Sequence, residues 1–269
     1  MGSDPSNPTS LFDRIAFTAR LFHPGDHDTL APPDARDLMI QVDPACSIHL
    51  RLHTSPAAIA TILLFHGNGE VVADYDGFAA WYRNAGASLA VAEYRGYGRC
   101  DGTPFLRTCL HDARAVARAL QGTLDRGKRP LIVMGRSLGS FCALEVAARD
   151  PLLIDGLVIE SGIGDLDTFV ARRGFDPGLV TAQDRIDFCP LQKADRVRAP
   201  TLLLHGAADD IVPPDNARLL LQACGAKDKQ LVMVPERGHN DVFLGDPYWP
   251  TLAGFVRNVT DTVARPRGT

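Results

Sequence analysis

Hydrophobic positions in this chain fall into short unbroken runs, separated by longer segments in which apolar residues recur every three or four positions. "TILLFHG" (61–67), "SLAVAEYRG" (88–96), "PLIVMG" (130–135), "GLVIES" (156–161), "APTLLLHG" (199–206) and "KQLVMVP" (229–235) are runs of the first kind. Continuous apolar runs of this length predict strands covered on both faces. Between them, "FAAWYRNAG" (78–86), "CLHDARAVARALQG" (109–122), the stretch from about Ser137 to Arg149, "NARLLLQAC" (216–224) and the stretch from about Tyr248 to Val263 carry the helical period. In 109–122 the apolar stripe is Leu110, Ala113, Val116, Ala117 and Leu120. Ahead of these, "LMIQV" (38–42) and "SIHLRLH" (47–53) alternate and predict a hairpin-like pair. Strand and helix in alternation predict an α/β fold: a mostly parallel central sheet with helices on both faces.

Two regions break the rhythm. Residues 163–198 contain no strand pattern and are too long for an ordinary connection. They predict a small cap insertion at about 163–198. Its Phe169, Phe175 and Phe188 are candidate pocket linings, or the cap's own core. Arg172 and Arg173 read as a solvated face in preference to contacts with an anionic substrate group. At the other end, residues 1–10 are expected to be a disordered N-terminus, leaving 11–269 as the domain with its insertion. Leu11, Phe12, Ile15, Ala16, Ala19 and Phe22 then recur at helical spacing, with Ser10 as a candidate N-cap. The main expectation for 11–22 is a short helix packed on the domain; membrane contact through it is the lesser reading.

Composition narrows the class only slightly. The chain has 269 residues, 45% hydrophobic and 22% charged, with a net charge of −4. A core of this size needs no disulfides. No basic run points to nucleic acid. Cys46, Cys100, Cys109, Cys142, Cys189 and Cys224 are widely and irregularly spaced, with no C-x-x-C pair. That predicts free thiols, with neither a zinc site nor a redox motif. The opening "MGSDPSNPTS" lacks the basic and apolar regions of a signal peptide, and no stretch of 18 apolar residues predicts a membrane span. A reduced, cytoplasmic location is the expectation.

The chemistry centres on "VMGRSLGSF" (133–141), where Ser137 lies between Gly135 and Gly139 directly after a buried strand and at the start of a helix. A Gly-x-Ser-x-Gly in that context predicts a nucleophile elbow. The turn strains the serine backbone, and only small neighbours allow strand and helix to approach closely. The helix N-terminus favours the negative charge that develops in acyl transfer. Such a serine needs a base in a loop after the last strand. His239 in "PERGHNDVF" occupies that place. An acid is expected between the two, to orient the imidazole and stabilise its charged form. In "LLLHGAADDIVPP" Asp209 and Asp210 compete for this role, Asp210 otherwise being a solvated or capping residue. In "LLFHGNGEVVADY", His66-Gly67-Asn68-Gly69 follows a strand at the oxyanion-loop position. The backbone N–H groups of Asn68 and Leu138 are the candidate anion receptor, and His66 is read as structural.

These parts together resemble the α/β-hydrolase superfamily over roughly residues 38–264. The usual form of the acid segment there, His-Gly-x-x-Asp-x-x-Val-Pro, reads His205, Gly206, Asp209, Val212 and Pro213 here, so Asp209 aligns. "EYRGYGRCDGTP" (93–104) and "GHND" (238–241) resemble the ABHD17/Bem46-like group and its bacterial relatives. The resemblance implies a serine hydrolase of carboxylic esters or thioesters that works through an acyl-enzyme and needs no cofactor and no metal. The expected partner is a small-molecule or acylated substrate. Two departures narrow it. The N-terminal cysteine cluster of the depalmitoylases is missing, since the first cysteine is Cys46. The aspartate nucleophile of haloalkane dehalogenases is replaced by Ser137. A peptidase or other acyl-transfer enzyme on the same three residues, and a hydrolase-fold binding protein without turnover, are the alternatives.

Overall fold

The computed structural model describes residues 10–124 and 129–264. Most of the proposed disordered N-terminus, residues 1–9, lies outside the described residues. Eight strands form one sheet in the order β1-β2-β4-β3-β5-β6-β7-β8. They are β1 (Ala35–Asp43), β2 (Cys46–His53), β3 (Ala60–Phe65), β4 (Ala87–Ala92), β5 (Leu131–Arg136), β6 (Gly156–Glu160), β7 (Thr201–Gly206) and β8 (Lys229–Val234). β1 and β2 are an antiparallel hairpin, β2 joins β4 antiparallel, and every later pairing is parallel. The α/β-hydrolase architecture expected from the sequence is therefore present.

Alternate residues of each central strand serve two cores. Leu63 and Phe65 of β3 and Leu131 and Val133 of β5 join one cluster. Ile62 and Leu64, with Ile132 and Met134, join the other. That double burial is why these strands read as continuous apolar runs. The first cluster is covered by α1 (Ile15–Leu21), α3 (Leu106–Thr123), α4 (Gly139–Arg149), α7 (Pro190–Arg196) and α8 (Asp215–Ala223). The second is covered by α2 (Ala79–Asn84) and α9 (Tyr248–Ala264).

The structure redraws three local expectations. The 11–22 segment is not one helix. A 3-10 turn at Leu11–Asp13, capped by Ser10 Oγ, breaks at the extended residue Arg14 before α1 begins. Phe12 and Phe17 are fully buried while Ile15 is 77% exposed. The apolar face is thus occupied inside the protein: Phe12 packs on Phe188 at 4.4 Å and Phe17 on Phe175 at 5.2 Å between ring centroids. The strand expected at 88–96 stops at Ala92, because Tyr94 and Tyr97 turn inward against His66. Residues 163–198 hold α5 (Leu166–Ala171), a 3-10 turn, α6 (Ala182–Phe188) and α7. Only the α5 end of this region borders the cleft described below; α7 is salt-bridged to α4 through Lys193 Nζ and Glu145 Oε2 at 2.7 Å.

The six cysteines are free, and all but Cys189 are buried. Burial pushes the Cys100 thiol up to about 12. No helix among the described residues is long and apolar enough to cross a membrane.

Candidate active site

The elbow's geometry follows from its two glycines. A Cβ on Gly139 would stand 2.0 Å from the Phe65 carbonyl oxygen, and one on Gly135 would stand 2.5 Å from the Gly139 carbonyl oxygen. Strand β5 and helix α4 therefore approach more closely than any side chain permits. Between them Ser137 adopts φ +50°, a left-handed conformation costly for a non-glycine residue. Its N–H donates to the Glu160 carbonyl at 2.9 Å, which locks the turn to β6.

Ser137 Oγ lies 2.9 Å from His239 Nε2, and His239 Nδ1 lies 2.8 Å from Asp209 Oδ2. Asp209 and His239 are buried and Ser137 is half-buried at the cleft. Of the competing pair, Asp210 is exposed and makes no contact with the imidazole, so Asp209 is the partner. The other oxygen, Asp209 Oδ1, accepts the N–H groups of Ile211 at 3.0 Å and Val212 at 2.8 Å. His205 Nε2 stands 3.4 Å from Asp209 Oδ2. Burial works to raise the Asp209 pKa, but hydrogen bonds from His205 and His239 outweigh it and hold the carboxyl well below the usual range. An ionised Asp209 can only accept, so Nδ1 carries the proton and Nε2 is left free to accept from Ser137.

Asn68 and Leu138 both line the same cleft. Among the described residues neither backbone N–H meets an acceptor. The Asn68 side chain faces away from the chemistry. Its Oδ1 accepts from the His23 N–H at 2.9 Å and the Tyr97 hydroxyl at 2.7 Å, and its Nδ2 donates to the Leu21 carbonyl at 2.6 Å. These bonds pin the oxyanion-loop residue to the segment after α1. His66 lies off this line, with Nε2 2.9 Å from Glu93 Oε2. Burial works against its charge, but Glu93 prevails and raises its pKa.

Arg136 is the residue that sequence reasoning missed. It fills the x of Gly-x-Ser-x-Gly and is buried. Its Nε donates to Glu70 Oε1 at 2.7 Å, and one terminal nitrogen donates to Glu160 Oε1 at 3.1 Å and to the His239 carbonyl at 2.9 Å. The other donates to Asn240 Oδ1 at 2.9 Å. Glu70 in turn accepts the Gly67 N–H at 2.7 Å and the Tyr75 hydroxyl at 2.7 Å. One guanidinium thus ties together the oxyanion loop, the elbow and the histidine loop. The sequence offered only two opposite charges at the ends of apolar runs, Arg136 and Glu160; that they face each other is given by the β5–β6 register.

The cleft over Ser137 has a volume of about 300 Å³. Ile163, Phe169, Ile211, Val212 and Pro213 give it apolar walls, and Arg172 and Arg173 border it as well. Both arginines were expected on a solvated face. Arg172 is exposed, as expected, and donates to the Ile211 carbonyl at 2.6 Å, whereas Arg173 is half-buried and lies over the Phe169 ring, 3.6 Å from its centroid. Of the three cap phenylalanines, only Phe169 reaches the cleft; Phe175 and Phe188 pack under α1 and the turn before it. No group of three or more His, Cys, Asp or Glu among the described residues is arranged to hold a metal ion.

With this geometry in place, the relatives fall in line. The family model described as "Serine aminopeptidase, S33" matches residues 56–175 and 178–243. The chain belongs to this family. It is an α/β-hydrolase enzyme. An uncharacterised membrane protein of Saccharomyces cerevisiae is 31% identical over 65% of this chain, which spans 63% of that relative's length. The Bem46 protein of Schizosaccharomyces pombe is 28% identical over 75% of this chain and 69% of its own. A Pyrococcus furiosus esterase shares the fold with TM-score 0.72 at 14% identity, covering 88% of this chain and 99% of the esterase. The Bem46-like resemblance read from the sequence is thereby borne out.

Proposed function

We propose that this hydrolase cleaves carboxylic esters or thioesters through a Ser137–His239–Asp209 triad and an acyl-enzyme. The observation that carries the reading is the hydrogen-bonded line from Ser137 Oγ through His239 to an ionised Asp209, with the serine held at positive φ. His239 Nε2 takes the hydroxyl proton as Oγ bonds to the acyl carbon. The N–H groups of Asn68 and Leu138 receive the oxyanion. His239 then passes the proton to the alkoxide or thiolate as the carbon–oxygen or carbon–sulfur bond breaks. Water, deprotonated by the same imidazole, adds to the acyl carbon and releases the acid and Ser137. Arg136 acts through His239, as a positioning residue.

The family description favours a second reading, an aminopeptidase. Such an enzyme needs an anionic anchor for a free α-ammonium. The carboxylates that border the cleft are already taken: Glu70 by Arg136 and Asp165 by Thr168 and the start of α5. Arg172 and Arg173 at the same cleft would repel an ammonium. These facts support the ester or thioester reading. The six free thiols fit a reducing, cytoplasmic compartment, which we propose as its location.

The test is a matched set of para-nitrophenyl butyrate, a butyryl thioester and an amino-acid para-nitroanilide. The expected result is turnover of the first two, abolished in Ser137→Ala. Turnover of the anilide with neither acyl ester cleaved would select the aminopeptidase.

A further inference from the structure

Elsewhere this protein answers its shielded guanidiniums with carboxylates. Arg51 meets Asp37 and Asp76, Arg95 meets Asp112, and Arg114 meets Asp150. Arg173, which is half-buried, is treated differently: neither it nor its exposed neighbour Arg172 is salt-bridged to a carboxylate among the described residues. Arg173 stacks on Phe169, and its terminal nitrogen donates to that residue's own carbonyl at 2.8 Å. Its Nε is buried, with no acceptor among the described residues. Burial and then the neighbouring charge of Arg172 hold the Arg173 pKa down at about 10, and no carboxylate acts against them. Arg172 spends its hydrogen bonds on the carbonyls of Asp210 and Ile211. Both residues border the Ser137 cleft. A shielded guanidinium with no counter-ion is costly, and the cost is recovered when an anion arrives. The planar fork suits a carboxylate or phosphate, which it can engage through two N–H groups at once.

The geometry points to an anion subsite in the Ser137 cleft, formed by Arg172 and Arg173, that selects esters or thioesters carrying a carboxylate or phosphate group. The inference rests on the serine-hydrolase reading and adds its substrate class. The anionic group belongs either to the acyl chain or to the leaving group, since both arginines border the same cleft as Ser137. Phe169 would hold Arg173 flat, and the carbonyls of the acid loop would hold Arg172, so the subsite is built before the substrate enters.

Two matched pairs of esters test it on the intact chain. One pair places the charge on the acyl side: the para-nitrophenyl monoester of glutaric acid against para-nitrophenyl valerate. The other places it on the leaving group: para-carboxyphenyl butyrate against its methyl ester. The readout is the ratio of kcat/KM, anionic over neutral, after subtraction of the uncatalysed rate, with a fluorophosphonate adduct at Ser137 measured in parallel. The wild type is expected to favour the anionic member of one pair by about tenfold or more, the scale of a hydrogen bond to a charged group. Arg173→Met and Arg172→Met should each lower that ratio, and Arg173→Lys should keep part of it. The pair that responds identifies which half carries the charge. Ratios near one in both pairs, or ratios unmoved in both methionine variants, overturn the subsite while a Ser137 adduct leaves the hydrolase reading standing. Neither adduct nor turnover overturns both.

Discussion

At the scale of single residues, the account makes two predictions that separate a reacting group from a positioning one. Ser137→Ala should lower kcat by about 10³-fold or more toward ester substrates while the fold persists, checked by circular dichroism and steady-state kinetics. Arg136→Met removes the donor to the His239 carbonyl and leaves Glu70 and Glu160 without their shared cation. The expected cost is about 10²-fold in kcat from a displaced imidazole, and about 3–5 kcal/mol of stability from uncompensated buried charge. A slowed fluorophosphonate reaction with little change in KM would mark the positioning role. An Arg136→Met variant with wild-type kcat would contradict it. Ser137, His239 and Asp209 were legible because each follows a strand, in a fixed order, inside a short motif. Arg136 was not, since the x of Gly-x-Ser-x-Gly carries no chemical demand of its own. Its role comes from Glu160, which the β5–β6 register sets opposite it, and from Glu70 and Asn240, which the oxyanion and histidine loops bring to it. Asn68 was read for its N–H alone. That its side chain staples the loop to Leu21 and His23 depends on where the N-terminal segment lies.

At the scale of elements, the elbow depends on how closely the start of α4 meets β5 and the end of β3. Gly139→Ala places a methyl against the backbone carbonyl of Phe65, with no flexible side chain to give way. Its cost should reach or exceed the upper part of the roughly 1–3 kcal/mol range for overpacking. Differential scanning calorimetry should show a large fall in Tm, and a variant of wild-type Tm and activity would refute the close approach. The central strands were readable from pattern because burial on both faces makes them continuously apolar. The element boundaries that moved did so for tertiary reasons. The 11–22 stretch has a helical period, yet Arg14 is extended there, so that Phe12 and Phe17 can meet at 5.0 Å and pack toward α5 and α6. Arg172 is surface charge as read, but that Arg173 is half-buried and that both border the Ser137 cleft was hidden because nothing local in the sequence places the end of α5 there.

At the scale of the whole molecule, buried ion pairs make stability depend on acid. Burial would raise the Asp37 pKa, but hydrogen bonds from Arg51 and His49 dominate and depress it well below the usual carboxylate range; Asp209 is depressed as well. A depressed folded-state pKa stabilises the protein at all pH values above the unfolded value, near 4. That contribution is lost as pH falls from there toward the folded value. Tm should therefore hold at neutral pH and drop steeply as pH falls below about 4. Asp37→Asn should start from a lower Tm at neutral pH and lose less of it in acid; parallel acid slopes would refute the linkage. The mostly parallel sheet and its two helix layers follow from one alternating pattern, which is why the fold class was legible from sequence; the strand order came from the structure. Which half of a substrate meets which wall is a property of the assembled cleft. The central claim, an activated serine at position 137, is tested most directly by intact mass after fluorophosphonate treatment of wild type and Ser137→Ala. The account predicts one adduct on the wild type, mapped to Ser137, and none on the variant. A folded wild-type protein that stays unmodified in excess probe, or an adduct that survives in Ser137→Ala, would contradict it.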